Sequence, residues 1–236
     1  MAVVKKHDFV EIEYTGKLKE DNTIFDTTEE KIARENGLHD KNADYSPAVI
    51  CIGENSILKA LDDQLIGRES GKEYTFEIES ENAFGKKDAK LIQMIPLSRF
   101  RQQNIQPIPG LQLNIDGVFG IVKTVSGGRC LVDFNHPLAG KDLIYNVKVN
   151  RIVDDSKDKL KSLLKMRLGI KDADIDLNEG LAKIKSMHKI PKEAQDEFKK
   201  IAEKAIPSIK NIDFNAAGEK SQKPEIFDDA QKPLDS

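Results

Sequence analysis

The sequence predicts an α+β fold: a strand-rich antiparallel domain with one short helix, interrupted by a β-rich insertion and followed by a small α+β unit. Three observations carry this. Apolar and polar residues alternate with period two at both ends of the first 154 residues. Ile57, Leu61 and Leu65, following a capping Asn55 or Ser56, recur every four residues over one short stretch, which makes its helix short. After Asp154-Asp155 the pattern changes to longer helical spacings.

Taken in order, Val10, Ile12 and Tyr14 alternate with Glu11 and Glu13 in a first half-buried strand. Glu20-Asp21-Asn22 is a polar turn before Thr23 to Thr27. Residues 28 to 46 read as a polar helical or irregular excursion, and Pro47 to Gly53 as a strand. Asn55 or Ser56 is the expected cap of the helix, with Gly67 at its left-handed end. Tyr74, Phe76 and Ile78 form the next strand, and its partner pattern, Tyr145, Val147 and Val149, returns only far downstream. Residues 86–134 fill that gap with strand patterns at 111–115, 118–122 and 130–134 and a Gly127-Gly128 hairpin turn. In the third segment, Leu160, Leu163 and Leu164 mark a helix over 159–167 ended by Gly169. A hairpin about Glu179-Gly180, a helix after Pro191 carrying Phe198, Ile201, Ala202 and Ala205, and a strand at 212–214 complete it. From Ala216 onward the polar, two-proline end is expected to be mobile.

Composition narrows the function. The 236 residues are 39% hydrophobic and 33% charged, ordinary for a chain that builds a core. The net charge of −3 carries no general nucleic-acid or membrane signal, and no apolar run approaches the roughly 18 residues of a membrane helix. The N-terminus lacks a signal-peptide core, and Cys51 and Cys130 form no CxxC pair; together these point to the reducing cytoplasm. The four histidines are scattered, so neither a metal site nor a cofactor is expected. The charge is uneven: the insertion holds seven basic residues against three acidic, a net of +4, whereas 1–85 with 135–154 holds 13 against 21, a net of −8.

No GxSxG, Walker A, HExxH or GxGxxG pattern occurs. Asp62-Asp63 reads as a solvated helix face and Cys51 as a buried structural thiol. What remains is a set of aromatics and aliphatics around one aspartate: Tyr14-Thr15-Gly16, Phe25-Asp26, Gly53 to Leu58, Ala83-Phe84-Gly85 and Asn135-His136-Pro137-Leu138-Ala139-Gly140. In this order the sequence resembles the FKBP-type peptidyl-prolyl isomerases over residues 5 to about 153. It is most similar to the subgroup with an insert in the flap, to which bacterial SlyD and the long archaeal FKBPs belong.

That resemblance implies an FKBP-like antiparallel sheet wrapped on a short helix. Residues 1–85 and 135–154 would be the isomerase domain, 86–134 an insert-in-flap chaperone domain and 155–236 a C-terminal α+β domain. It implies a proline pocket of Tyr14, Phe25, Asp26, Ile57, Leu58, Leu61, Phe84 and Tyr145. Ile57 would offer its N–H to a substrate carbonyl, Asp26 would face the twisting amide, and His136 and Leu138 would form the rim. Leu61 replaces the tryptophan floor of small FKBPs, Phe84 a tyrosine and Ala48 an aromatic wall, so tight macrolide binding is not expected.

The chemistry requires no nucleophile. An X-Pro bond rotates over a barrier of about 18–20 kcal/mol. Its twisted transition state has lost amide resonance and is less dipolar than the planar forms, so a dry apolar pocket favours it. A thousandfold acceleration needs only about 4 kcal/mol.

In the insertion, Leu91 to Leu97, Phe100, Ile105, Ile108 and Leu111 supply apolar surface. Met94, Ile95, Phe100 and Ile108 are the expected contacts for unfolded chains, whose prolines would then be held near the pocket. The alternative is that they form the insertion's own core. The partners implied are unfolded or partly folded polypeptides with Xaa-Pro bonds, with no membrane and no specific nucleic acid. For the C-terminal domain the resemblance implies homodimerisation, with a second client surface as the alternative. With only His188 in that region, nickel handling by a His-rich tail is not expected. A non-catalytic holdase or adaptor using the same surfaces is the competing function, and a ribosome- or transcription-associated factor rests on the basic insertion alone.

Overall fold

The computed structural model describes residues 2–115, 117–187 and 190–216. His188 and the tail beyond Ala216 lie outside them. The chain divides into two compact units, 1–153 and 154–236.

The first unit is organised by two long strands. β1 (Phe9–Leu18) and β9 (Leu143–Val153) pair antiparallel along their whole length. β2 (Ile24–Thr27) and β3 (Ala48–Cys51) share the other side of β1, β2 on its second half and β3 on its first. β4 (Lys72–Ile78) closes the far edge against β9. The period-two pattern decides the faces. Val10, Ile12, Phe76, Ile78, Tyr145, Val147 and Val149 are buried with Leu61 and Leu65 of α2 (Lys59–Leu65) in one core. On the opposite face cross-strand charges pair, Glu11 with Arg151 at 2.9 Å and Glu13 with Lys148 at 3.3 Å. Such exposed pairs are each worth at most about 1 kcal/mol. Within the polar excursion only α1 (Glu30–Glu35) is helical.

Two expectations about α2 are corrected. It starts at Lys59, with Leu58 at the cap position and no side-chain cap, because Gly53 and Asn55 take left-handed φ values of +85° and +53°. Ser56 instead binds the Cys51 backbone, accepting from its N–H at 3.4 Å and donating to its C=O at 3.2 Å. Asp62 is not solvated: it is 1% exposed and accepts the Gly53 N–H at 2.9 Å, while Asp63 is exposed as expected. Gly67 has the expected positive φ, +83°, but its N–H donates to Val4 rather than back into the helix.

The insertion forms a four-stranded antiparallel sheet in the order β5-β8-β7-β6, from β5 (Ile92–Pro96), β6 (Gln112–Ile115), β7 (Val118–Ser126) and β8 (Arg129–Asp133). The hairpin at Gly127-Gly128 is as the sequence indicates, both glycines having positive φ. β5 and the following α3 (Leu97–Gln102) are additional. Pro96 ends the strand and caps the helix, so neither periodicity lasts long enough to read. Ile95 and Phe100, expected on a client surface, are instead 9% and 3% exposed and pack with Leu113, Val122, Cys130 and Val132 as this sheet's core.

In the second unit, α4 (Ser156–Leu168) is capped by Asp155, which accepts the Asp158 N–H at 2.8 Å, and ends at Gly169 with φ +67°. β10 (Asp174–Asn178) and β11 (Leu181–Ser186) form the hairpin, turning through Glu179 and Gly180, both with positive φ. α5 (Lys192–Ala205) then returns the chain so that β12 (Asn211–Ala216) runs parallel to β11, a pairing that needs such a crossover.

Candidate active site

Seven of the eight residues expected in the pocket converge where β1, β2, β9 and α2 meet. Tyr145 and Leu61 are buried in the core cluster, and Tyr14, Phe25, Ile57 and Leu58 pack against it half-buried. The Tyr145 ring meets Tyr14 at 6.0 Å and Phe25 at 5.8 Å, the latter edge-on at 85°. Asp26 is exposed, and the Tyr14 hydroxyl donates to its Oδ2 at 2.8 Å, fixing the direction of an otherwise free carboxylate. Ala48 packs half-buried against the same cluster.

Gly16 makes this aromatic corner possible, a role its sequence signal (the next core-facing position after Val10, Ile12 and Tyr14) does not reveal alone. It lies in register between Asp26 on β2 and Tyr145 on β9. A Cβ there would stand 2.7 Å from the Phe25 ring and 2.9 Å from the Tyr145 ring. Gly16→Ala is therefore expected to force both rings outward, at a cost of about 1–3 kcal/mol in stability. Chemical denaturation of the variant, with its isomerase kcat, checks this.

Phe84 is 37% exposed and stands apart from the cluster, stacked on His136 with ring centroids 4.3 Å apart and planes 4° from parallel. His136 Nδ1 accepts the Leu138 N–H at 3.2 Å, which leaves the proton of the neutral ring on Nε2. The Gly140 N–H donates to the Gly85 C=O at 2.7 Å, so Ala83-Phe84-Gly85 and the 135–140 loop form one structure. Its root is a network missed in the sequence. Asn135 Oδ1 accepts the Asp88 N–H at 2.8 Å, its Nδ2 donates to the buried Asp133 at 2.8 Å, and Lys87 Nζ reaches Asp133 at 3.1 Å. Burial opposes the charge on Asp133, but these hydrogen bonds from Asn135 and Lys87 outweigh it and hold the carboxyl below its ordinary pKa.

A cavity of about 720 Å³ shares Tyr14 with this corner and is otherwise lined by a mixture of polar residues (Glu13, Lys17, Thr75, Lys148) and apolar ones (Ile24, Ile32, Tyr74, Val147).

A family model for the FKBP-type peptidyl-prolyl cis-trans isomerase matches residues 2–99, and one described as FKBP26, IF domain matches 93–138. The short-type peptidyl-prolyl cis-trans isomerase of Methanocaldococcus jannaschii is 31% identical over 150 residues, 64% of this chain and 94% of that protein. The chain belongs to the FKBP-type peptidyl-prolyl cis-trans isomerases. The FKBP-type 16 kDa isomerase of Escherichia coli is 30% identical over 153 residues, 63% of this chain and 93% of its own. SlyD of Vibrio cholerae is 25% identical over 145 residues, covering 60% and 72%. The protein is thus an FKBP-type prolyl isomerase acting on polypeptides that contain proline. Among its described residues no helix is long and apolar enough to cross a membrane.

In this FKBP-type site the two phenols stay neutral far beyond physiological pH. Burial, then the charge of Asp26, pushes Tyr145 up to about 12, and the same causes with the hydrogen bond to Asp26 raise Tyr14 further. In the unfolded chain a tyrosine ionises near pH 10. The unfolded state therefore loses these protons first, and stability is intact below pH 10 and declines as pH rises toward 12. Urea midpoints measured between pH 8 and 11.5 are expected to fall above pH 10, less steeply in Tyr145→Phe.

Proposed function

We propose that Tyr14, Phe25, Asp26, Ile57, Leu58, Leu61 and Tyr145 hold the prolyl ring and its amide, with Phe84, His136 and Leu138 as the rim, and that the inserted sheet captures unfolded chains for this pocket. Leu61 is the floor, and Phe25 and Tyr145 the aromatic sides. The amides of Ile57 and Leu58 and the Tyr145 hydroxyl have no intramolecular partner among the described residues, so they are free to bind substrate carbonyls. Asp26, held by Tyr14, faces the twisting amide. Water exclusion by the apolar walls favours the less dipolar twisted state, and the aimed donors hold the substrate in it.

The capture role rests on one observation. Of the ten exposed large hydrophobic residues among the described ones, five belong to the insertion: Leu91, Met94, Ile108, Val118 and Phe119, with Met94 65% exposed. Met94 alternates with core-facing Ile95, and Phe119 with Gly120, so both stand on the sheet face turned from its core. Met94 and Ile108 remain in the proposed surface, Ile95 and Phe100 leave it, and Leu91, Val118 and Phe119 join it. Val118, next to Phe119 on β7, is exposed on the strand's other face, so the insertion offers exposed apolar side chains, one of them Met, on more than one side, and such surface fits varied unfolded partners. The triple variant Met94→Ser, Val118→Ser, Phe119→Ser tests it. Suppression of aggregation of a reduced client should be largely lost with tetrapeptide isomerisation intact; unchanged suppression would remove the insertion from the capture role.

A further inference from the structure

Among the described residues, Asp62 Oδ1 is the only fully buried side-chain nitrogen or oxygen without a hydrogen-bond partner. A half-satisfied buried carboxylate is costly, and an apolar side chain of similar size would fit a helix face between Leu61 and Leu65 better. Burial raises the pKa of Asp62, while the backbone N–H groups of Gly53 and Asn55 draw it back toward the charged form. Only the Gly53 N–H, at 2.9 Å, makes a hydrogen bond.

These two N–H groups belong to the turn in which residues 53 and 55 are both left-handed, at +85° and +53°. The Asp62 carboxylate thus sits where the concave side of the turn gathers N–H groups, and it holds the turn against α2. The turn leads straight into Ile57 and Leu58, whose amides are the ones without an internal acceptor, while the residue preceding Asp62 is the pocket floor, Leu61.

We infer that Asp62 is a positioning residue for isomerisation: by accepting the Gly53 N–H it fixes the 53–58 turn on α2 and so aims the Ile57 and Leu58 amides into the pocket. The inference rests on the pocket assignment proposed above. Asp62 touches no substrate atom; it couples the floor of the pocket to its donors, which explains why an unfavourable buried group occupies this helix face.

The test uses the full chain with Asp62→Asn, which keeps the shape and one acceptor, and Asp62→Leu, which removes the buried polar group. A merely structural carboxylate would leave the Leu variant as active as it is stable. Expected instead is a urea midpoint for Asp62→Leu equal to or above that of the parent, with kcat on an Xaa-Pro tetrapeptide reduced about tenfold, or 1.36 kcal/mol, and KM within about twofold. Asp62→Asn should show a smaller loss in the same direction. Backbone order parameters at Ile57 and Leu58 should drop from near 0.85 toward about 0.6, those of Val147 and Val149 staying unchanged. Parental kcat and order parameters in both variants would overturn the inference, as would a kcat loss no larger than the unfolded fraction. Asp26→Asn is assayed alongside. If it too is fully active, the pocket assignment itself fails; if it is inactive while the Asp62 variants are active, only the positioning role fails.

Discussion

Asp26→Asn is expected to lower kcat/KM for an Xaa-Pro tetrapeptide about a hundredfold and to leave suppression of client aggregation within about twofold. The substitution keeps the shape of the side chain and an oxygen to accept from the Tyr14 hydroxyl, now 2.8 Å away, so the aromatic corner should persist. What it removes is the one negative charge of the proposed pocket, held in a fixed direction on β2. Charge that is oriented before reaction costs no reorganisation as the amide twists, and loss of one such group costs about 2.7–4 kcal/mol in other enzymes. A hundredfold corresponds to the lower end of that range. Aggregation suppression should be untouched because the exposed apolar residues assigned to it belong to the insertion, whereas Asp26 is on β2. Loss of both activities together would mean that one surface serves both, and retention of full isomerase activity would remove Asp26 from the site.

Replacing residues 89–132 by a short glycine-containing turn is expected to lower the acceleration of proline-limited refolding about a hundredfold, with tetrapeptide kcat/KM within about threefold. The ends of the deletion are chosen from the hydrogen bonds. Lys87, Asp88, Asp133 and Asn135 stay, so the network that ties the Phe84–Gly85 segment to the 135–140 loop is preserved. A tetrapeptide enters the pocket from solution and needs no capture. An unfolded protein held on the insertion presents its prolines at high effective concentration, and such tethering commonly adds two to four orders of magnitude. Equal loss on both substrates would show that the insertion supports the pocket structurally rather than delivering clients.

Much of this architecture was legible because burial is one-sided. Tyr74, Phe76 and Ile78 alternate cleanly with polar residues, and so do Tyr145, Val147 and Val149; the distance between those two patterns exposes the insertion. The turns at Gly127-Gly128, Gly169 and Glu179-Gly180 are set by local backbone chemistry and were readable for that reason. The short sequence motifs marked the site residues, but not how they are held. Gly16 has no side chain to announce it; its importance is the space it leaves for Phe25 and Tyr145. Asp62 looks like half of an exposed acidic pair until the left-handed turn at 53–55 shifts the helix start and presents N–H groups to it. Ile95 and Phe100 were indistinguishable from surface apolar residues because the chain changes from strand to helix at Pro96, between them. Met94, their neighbour, faces the other way, and only pairing to Leu131 on β8 reveals which side is which.

Competition separates capture from catalysis most directly. A permanently unfolded chain without proline is titrated into two assays of the full-length protein, one following proline-limited refolding and one following a short Xaa-Pro peptide. Expected is competitive inhibition of the refolding reaction with no change in peptide isomerisation, since the competitor occupies the insertion and has nothing for the pocket. Equal inhibition of both reactions, or of neither, would contradict a capture surface on the insertion that feeds a separate prolyl pocket.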